Sequence, residues 1–469
     1  MSLRNKSFRT LKQYFANDNA AFIPQLWANE GLAILEETMV LGNLVYRDFE
    51  NVIAKYGDVV NTRKPRTFTA YRKVDSDPVT VQNAISDNIP VPLDQHLHTS
   101  FMIMDGEESQ SFKNLVDEYL RPGVISIASM IDKILSGQAI RFMPSGGAVG
   151  GLGALTSGNA ANFLLAARQQ LNVNKIPTDF NRHCILNPYS ETVMLQNSNF
   201  VDAHFVGDQG TALREASLGR KFGLNILMAQ NQPHVPTGGT VVTGAINLTA
   251  GYPAGTSTFT VTGLSAAITA GTWMTIAGDM TPLQVVSTVG GSTPTSITVL
   301  NPTSNAVVNA AVVTLYTPGA VNFSGGYAAG YTDYITITPP AVAPVIGQPV
   351  TFGTNNADVY TITDVESSGT SISIDRPLNA SIANSAAVNV GPAGNYNFVF
   401  HRNALALVSR PLALPRAGMG ALSANVTYNN LSMRVVMSYQ GINQGTLVTI
   451  DLLMGIAIFE KLAGTLLCG

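Results

Sequence analysis

The sequence predicts an α+β domain that is interrupted by an all-β insert of two tandem modules. Two stretches, 246–315 and 321–390, repeat each other at a fixed offset of 75 residues, so that INLTAGYPAG at 246–255 returns as VNFSGGYAAG at 321–330. A constant offset indicates a tandem duplication. The flanks interleave helical and extended patterns instead, which is typical of an α+β or α/β body. We therefore treat 232–395 as an insert and read the two flanks together.

Charge is scarce and unevenly distributed. Only 12% of the 469 residues are charged, about half the usual fraction. The insert carries one basic and six acidic side chains, and the rest is close to neutral. This balance argues against a dedicated nucleic-acid binder. A chain with so few charges either buries surface against other copies of itself or depends on Ser, Thr and Asn for solubility.

Basic residues mark the N-terminal stretch 2–16, which contains no acid and has apolar residues at helical spacing. Two interpretations stay open, a disordered tail and an arm that docks on a neighbouring subunit. A helical pattern starts at Pro24. The basic side chains of the arm, our candidate contacts for assembly with a neighbouring subunit or another protein, are Arg4, Lys6, Arg9 and Lys12.

An extended pattern follows Gly57. Residues 59–68 alternate, 71–98 are rich in Asp, Asn, Pro and Val, and 97–104 end the stretch. We expect a long two-stranded hairpin that leaves the body of the protein. Because an isolated hairpin is marginally stable in water, it should rest on a neighbouring subunit. Its candidate contacts between subunits are Arg63, Lys64, Arg66, Arg72 and Lys73.

The remaining elements alternate in type. A helix of about thirty residues is predicted over 107–137, with Pro122 as a place for a kink. The Gly-rich stretch 145–153 lacks the Lys-Ser/Thr of a phosphate loop and is predicted to be a hinge or linker. Further helices are predicted at 159–172, 189–196 and around 211–218, and strands at 182–186, 219–230, 396–408, 433–439 and 446–460. Insert strands are predicted at 258–262, 272–276, 284–289, 296–300 and 312–316, so each module could close as a small barrel or sandwich.

Residue types that carry chemistry are scattered. His96 and His98 would share one face of a strand, without partners at metal-ligand spacing. Cys184 and Cys468 lie far apart in apolar contexts, which predicts two inert buried thiols and a reducing compartment. The apolar run 450–467 contains two charges and is predicted to be buried in the fold and not to span a membrane. We expect no catalytic site, cofactor or metal, and no enzymatic activity.

Three stretches carry a family resemblance: FIPQLWANE at 22–30, FVDAHFVGDQGTALREASLGRKFG at 200–223 and FHRNALALVSRPL at 400–412. They resemble major capsid proteins of tailed bacteriophages, which have the Hong Kong 97-type fold, and in particular coat proteins of short-tailed enteric phages. The resemblance covers about 1–230 and 396–469. Those coat proteins carry one small β-barrel in the insert, whereas this chain has two modules.

The resemblance implies a domain order. It comprises an N-terminal arm and first helix (1–45), an extended hairpin loop (46–106), a spine helix of the peripheral domain (107–155), the first part of an axial domain (156–231), β-modules (232–318 and 319–395) and closing strands (396–469).

The resemblance also implies a function. The chain is expected to be a major capsid protein that self-assembles, as hexamers and pentamers, into an icosahedral shell around the phage double-stranded DNA. Implied partners are a scaffolding protein, a portal protein and non-specifically packaged DNA, with no membrane, and the location is the virion capsid, assembled in the bacterial host cytoplasm. The alternative is a β-rich adhesin or virion decoration protein whose modules bind host glycans. The long helix and interleaved flanks weigh against it.

Overall fold

A computed structural model describes residues 22–49, 55–64, 68–73, 75, 78–83, 87–104, 116–202, 214–236, 241–264, 267–340, 342–353, 358–416, 421–442 and 444–469. They belong to two compact units. The first unit comprises the described residues up to 39 together with 47–128 and 407–456. The second comprises 40–46, 129–406 and 457–469.

Helices are few and strands are many. The helices are α1 Phe22–Thr38, α2 Arg121–Gly137, α3 Met143–Gly146, α4 Ala160–Val173, α5 Pro188–Leu195 and α6 Ser198–Val201, with a π turn at Val116–Leu120 and 3₁₀ turns at Leu41–Asn43, Gln138–Phe142 and Arg402–Ala404. The strands before the insert are β1 Val59–Lys64, β2 Asp87–Pro92, β3 Gln95–Met104, β4 Ala148–Gly150, β5 Arg182–Leu186, β6 Arg220–Lys221, β7 Leu224–Met228 and β8 His234–Val235. Those of the insert are β9 Val241–Ile246, β10 Thr258–Thr262, β11 Trp273–Ile276, β12 Leu283–Val289, β13 Ser296–Val299, β14 Val312–Tyr316, β15 Gly319–Val321, β16 Ile335–Thr338, β17 Pro349–Phe352, β18 Tyr360–Val365, β19 Ser371–Ile374 and β20 Ala387–Val390. The strands after it are β21 Gly394–His401, β22 Leu405–Arg410, β23 Ala421–Tyr428, β24 Leu431–Gln440, β25 Gly445–Ile458 and β26 Gly464–Cys468.

The first unit is built on a five-stranded sheet of order β22-β25-β24-β23, with β3 also paired to β25. Helix α1 packs across β23 and β24 and buries Trp27, Leu32 and Leu35. A Cβ on Gly31 would lie 3.0 Å from the sulfur of Met433, so glycine at this position lets the helix approach the sheet closely.

A two-stranded hairpin is present, but it is shorter than the stretch predicted to form it. Strand β1 pairs antiparallel with β2, from Val59 opposite Pro92 to Lys64 opposite Asp87. Residues 97–104, which end the stretch predicted as the hairpin, lie in β3 and pair with β25 instead. The buried Leu93 exchanges backbone hydrogen bonds with Gly57 and Asp58 and so closes the base of the hairpin.

The second unit contains a seven-stranded sheet of order β4-β26-β21-β5-β7-β6, with β8 paired to β21. Helix α4 contributes Leu164 and Leu171 to a core that includes Cys184, Phe200 and Val399. One helical stretch of the described chain, Glu118–Gly146, is long and apolar enough to cross a membrane, but 72% of its most apolar window is buried inside the fold. Such burial is typical of a core helix.

Each module of the insert closes into a six-stranded barrel with strands of its own copy. The first barrel has the order β10-β13-β12-β11-β14-β9 around the circle, and the second repeats it as β16-β19-β18-β17-β20-β15. The bulge between Val285 and Ser287 in β12 has a counterpart between Ile362 and Asp364 in β18. The two copies therefore share their strand order and also an irregularity.

The region before α4 agrees with its predictions in part. The helix changes from the π turn at Val116–Leu120 to α2 directly beside Pro122, the predicted place for a kink, and Pro122 lies in the first turn of α2. Residues 107–115 of the predicted spine helix lie outside the described residues. The Gly-rich stretch is not only a linker, because β4 within it pairs in parallel with β26.

Two further predictions, for the region after α6, also differ. Stretch 219–230 forms the β6–β7 hairpin and not one strand. Of the helix predicted around 211–218, residues 211–213 lie outside the described residues. The short helical turn that follows them ends before Ala216, whose φ of 54° is left-handed and does not fit a right-handed helix.

Candidate functional site

The two ends of the insert are held side by side in the second unit. Strand β8, where the chain leaves the body, pairs antiparallel with the start of β21, where the chain returns, and His234 lies opposite Asn395. The ring of His234 stacks on Tyr189 with 3.7 Å between centroids, and its Nδ1 lies 2.7 Å from Asn395 Oδ1. We call these paired ends, 232–236 and 394–397, the root of the insert.

Buried amides fix the root. The Asn187 side-chain oxygen accepts the Ser190 backbone N–H at 2.7 Å and so caps α5. Its side-chain nitrogen donates to Asn395 Oδ1 at 2.7 Å, and its backbone N–H donates to Asn397 Oδ1 at 2.9 Å. Asn187 and Asn397 are fully buried. The amide at the helix cap therefore also positions the strand that follows the insert, a role that the sequence pattern did not reveal.

A buried polar cluster attaches the second barrel to the end of α2. Asp375 accepts hydrogen bonds from Gln138 Nε2 at 2.6 Å and from the Thr361 backbone N–H at 2.9 Å. The same carboxylate pairs with Arg376 at 3.2 Å, and the Thr361 hydroxyl donates to the Gly137 carbonyl at 2.9 Å. Because the Asp375 side chain is fully buried, this contact is desolvated and specific in its geometry.

Arg141 completes the polar cluster around Asp375 by donating to Gln138 Oε1 at 2.6 Å. Burial, followed by the nearby charge of Arg376, lowers the pKa of Arg141 to about 10. Arg376 also lies over the ring of Tyr360 at 4.2 Å. Two arginines are thus held close to one buried acid.

The first barrel is attached to the stretch around β4 and to the second barrel. Leu152 donates its N–H to the Met280 carbonyl at 2.8 Å, and the Ser304 hydroxyl donates to the Ala148 carbonyl at 2.6 Å. Between the barrels, the Thr351 hydroxyl of the second donates to the Gly271 carbonyl of the first at 3.2 Å. Direct hydrogen bonds therefore dock both barrels.

Asp132 on α2 offers a pH test of this unit. Its buried carboxylate accepts backbone N–H groups from Val40, Leu41 and Gly42 at 2.8, 3.1 and 3.2 Å. Burial raises the pKa of Asp132 from 3.8 to about 6 and outweighs those three hydrogen bonds. The folded state therefore binds this proton more tightly than the unfolded state does.

The stability that comes from protonated Asp132 should be present below pH 3.8 and be lost as the pH rises through 6. We expect the free energy of unfolding of the native chain to fall by about 3 kcal/mol relative to Asp132→Asn over this range. Urea unfolding of both proteins at several pH values measures the difference. A difference between the two proteins that stays constant across this pH range would contradict the assignment.

The structure describes the side chains of only two of the basic residues that were predicted to lie at interfaces. Arg4, Lys6, Arg9, Lys12 and Arg66 lie outside them; Arg63 and Lys64 belong to β1, but nothing is described of their side chains. Arg72 and Lys73 are described and exposed. Their role as contacts between subunits stays a prediction.

Apolar side chains on the same loop are the stronger candidates, and sequence reasoning missed them. Between β1 and β2, Phe68 and Tyr71 are exposed, as are Val79 and Val81 at 68% and 84%. Single exposed apolar residues are ordinary, but several on one segment indicate a surface that binds another molecule. The signal in the sequence is the presence of large apolar residues within a stretch rich in Asp, Asn and Pro. We call 68–83 the apolar loop.

The histidine pair lies beside one acidic residue that is already bound. The rings of His96 and His98 are 6.4 Å apart, and His96 lies 3.4 Å from Asp451, an acidic partner that the sequence did not indicate. Asp451 is already bound by Arg434, whose Nε is 2.9 Å from Oδ1. Among the described residues, no group of three His, Cys, Asp or Glu could hold a metal ion.

The two thiols are free and buried, as predicted. Burial raises the pKa of Cys184 to about 12, and it also raises the pKa of Cys468. Because the thiolate and not the thiol is the nucleophile, both cysteines are held in their unreactive form.

Comparison with known proteins gives only structural matches. No family model matches the chain, and no curated protein matches it. The chain is similar to the capsid structure of cyanophage P-SCSP1u, with a TM-score of 0.44, 11% identity, and coverage of 92% of this chain and 88% of that one. It is also similar to a structure from Mycobacterium phage Che8 (TM-score 0.40, 11% identity, 91% and 90% covered) and to the capsid structure of Staphylococcus phage Andhra (0.39, 10%, 90% and 82%). Because these TM-scores are below 0.5 and the identities are near 10%, the function is argued below from the residues of this chain alone.

Proposed function

We propose that this chain is the major capsid protein of a tailed bacteriophage, with a Hong Kong 97-type fold, and that it self-assembles into an icosahedral shell around double-stranded DNA. The observation that carries the proposal is the apolar loop on its short hairpin. The β1–β2 pairing spans six residue pairs, and the loop beyond it exposes Phe68, Tyr71, Val79 and Val81. A two-stranded hairpin gains little stability alone, so these side chains are best accounted for by burial against a neighbouring subunit.

The insert fits a structural role. Both barrels are fixed to the body by direct hydrogen bonds, through Asp375 and Gln138 in the second and through Ser304 and Ala148 in the first. Modules docked in this way brace a subunit. An adhesin presents its glycan-binding modules better on a flexible stalk than docked against its body. The adhesin is therefore the weaker of the two proposed functions.

Partners follow from assembly and charge. Hexamers and pentamers of the chain would form the shell, and many modest contacts per subunit would add up to a stable particle. With a net charge of −3, the chain would contact packaged DNA without strong adhesion. A scaffolding protein contacting the basic arm, a portal protein, and assembly in the bacterial cytoplasm complete the proposal.

Negative-stain electron microscopy tests the proposal directly. The full chain should be expressed alone and together with a scaffolding protein from the same genome. We expect closed round particles, or sheets and tubes of hexagonal units, in at least one condition. Small monodisperse particles in both conditions would rule out a shell subunit.

A further inference from the structure

One end of the first barrel opens into a cleft that assembly does not explain. The cleft has a volume of about 840 Å³ and lies in the second unit. Its walls are the stretch around β4, one face of α4 and the barrel turns at 254–255, 278–283 and 301–305. This volume is in the range of small-molecule sites, about 300–1,000 Å³.

The walls of the cleft carry almost no charge. Among the described residues that line it, the one ionisable side chain is Asp279, which is buried and already accepts the Thr281 hydroxyl and, at 2.6 Å, the Asn305 backbone N–H. These lining residues include no lysine, arginine or histidine. The polar side chains that remain are mainly carboxamides, which can both donate and accept hydrogen bonds. They belong to Asn162, Gln169, Gln170, Asn301 and Asn305.

An aromatic ring forms part of the same wall. Phe163 on α4 is half-buried and lines the cleft. A Cβ on Gly150 would lie 2.5 Å from this ring, so glycine in β4 lets the ring pack directly against the strand backbone. The ring is therefore held in place as an apolar surface next to the carboxamides.

Asn301 is the second and independent indication of a ligand. It is 3% exposed and lines the cleft, and within the described part of the chain neither its side-chain oxygen nor its side-chain nitrogen has a hydrogen-bond partner. Buried polar groups in native proteins are nearly always paired, because leaving them unpaired is costly. A buried donor and a buried acceptor are thus both unpaired in a residue that lines the cleft.

The second barrel provides an internal comparison. The position 75 residues after Asn301 is Arg376, which pairs with Asp375 and lies over Tyr360. The corresponding end of the second barrel, around Tyr360 and 380–383, encloses about 280 Å³. The two copies have therefore diverged at this position, where the first has the shorter, neutral side chain, and the space beside the first barrel is enclosed partly by β4 and α4.

We propose that the cleft binds a neutral polyhydroxylated ligand, a sugar of one or two rings. Carboxamides match the paired donor and acceptor character of hydroxyl groups. An aromatic face covers the apolar face of a sugar ring, and the uncharged walls disfavour ions. The proposal does not depend on the shell function, because every wall of the cleft belongs to one chain.

The test uses the full chain and three probes: glucose, galactose and N-acetylglucosamine. Saturation-transfer NMR detects binding, and titration calorimetry gives the affinity. We expect at least one sugar to bind, Asn301→Ala to weaken it about tenfold or more, and Asn301→Arg, which copies the second barrel, to abolish it. The matched control Asn247→Ala, at an exposed asparagine of the same barrel that does not line the cleft, should leave binding unchanged.

Two results would overturn the proposal. One is that none of the three sugars binds the native chain at millimolar concentration. The other is binding that persists in both Asn301 variants, which would locate the sugar elsewhere. Circular dichroism of each variant confirms that it is folded. If Asn301→Arg fails to fold, Asn301→Ala decides the question.

Discussion

Replacement of Asp375 by alanine is expected to lower the free energy of unfolding by about 3–5 kcal/mol. The change removes the acceptor of Gln138 Nε2 and of the Thr361 backbone N–H and leaves the Arg376 guanidinium without its carboxylate. All three groups lie at the contact between the second barrel and the end of α2. The cost is high because a buried donor or charge that loses its partner also cannot recover its hydration.

Denaturant unfolding followed by circular dichroism measures this effect. The matched control is Asp333→Ala, which removes an exposed acid from the same barrel and should cost less than about 1 kcal/mol. Hydrogen exchange should show the loss of protection around Gln138 first. If the two variants unfold at the same denaturant concentration, the polar cluster does not hold the barrel in place.

Changing Val79 and Val81 together to serine should strongly reduce assembly without unfolding the subunit. These side chains are 68% and 84% exposed, so the isolated chain loses little buried area when they become polar. In the shell they would lie against a neighbour, and the loss would recur at every copy of the contact. We expect a decrease in the yield of particles of about tenfold or more.

Sedimentation and electron microscopy of the serine variant, co-expressed with the scaffolding protein, give the yield. Val308→Ser is the matched control, since this valine of the first barrel is also 68% exposed but lies outside the apolar loop. If the double variant forms normal particles, the apolar loop is not part of the interface between subunits. Impaired assembly of both variants would show that general surface polarity, and not the loop, matters.

Local patterns predicted many of the barrel strands. Thr258–Thr262 and Val312–Tyr316 have the predicted bounds, because side chains alternate between the barrel interior and its outside along each strand. The duplication made these strands easier to predict, because the same alternation of apolar and polar residues occurs in both copies. Strand Arg182–Leu186 also has its predicted bounds, as a short apolar run between turn residues.

Contacts between distant residues were not predictable. Strand β4 exists because Ala148 to Gly150 pair with Leu466 to Cys468, and nothing in a run of glycines indicates this pairing. The contact of Gln138 with Asp375 spans 237 positions. One signal was present: the repeat places Asp375 and Arg376 where the first copy has Leu300 and Asn301. An acid and an arginine that occur side by side in the second copy only indicate a contact of the second barrel that the first barrel lacks.

The root of the insert has a consequence for engineering. Because the chain leaves through His234 and returns through its neighbour Asn395, the chain connection itself requires only a short distance between the two ends of an inserted domain. A closed domain whose termini are adjacent satisfies that constraint at little entropic cost, whatever its length. A replacement domain with adjacent termini would therefore fit the chain connection, but it would also have to supply new partners for Gln138 and for the Ala148 carbonyl, which the two barrels now bind.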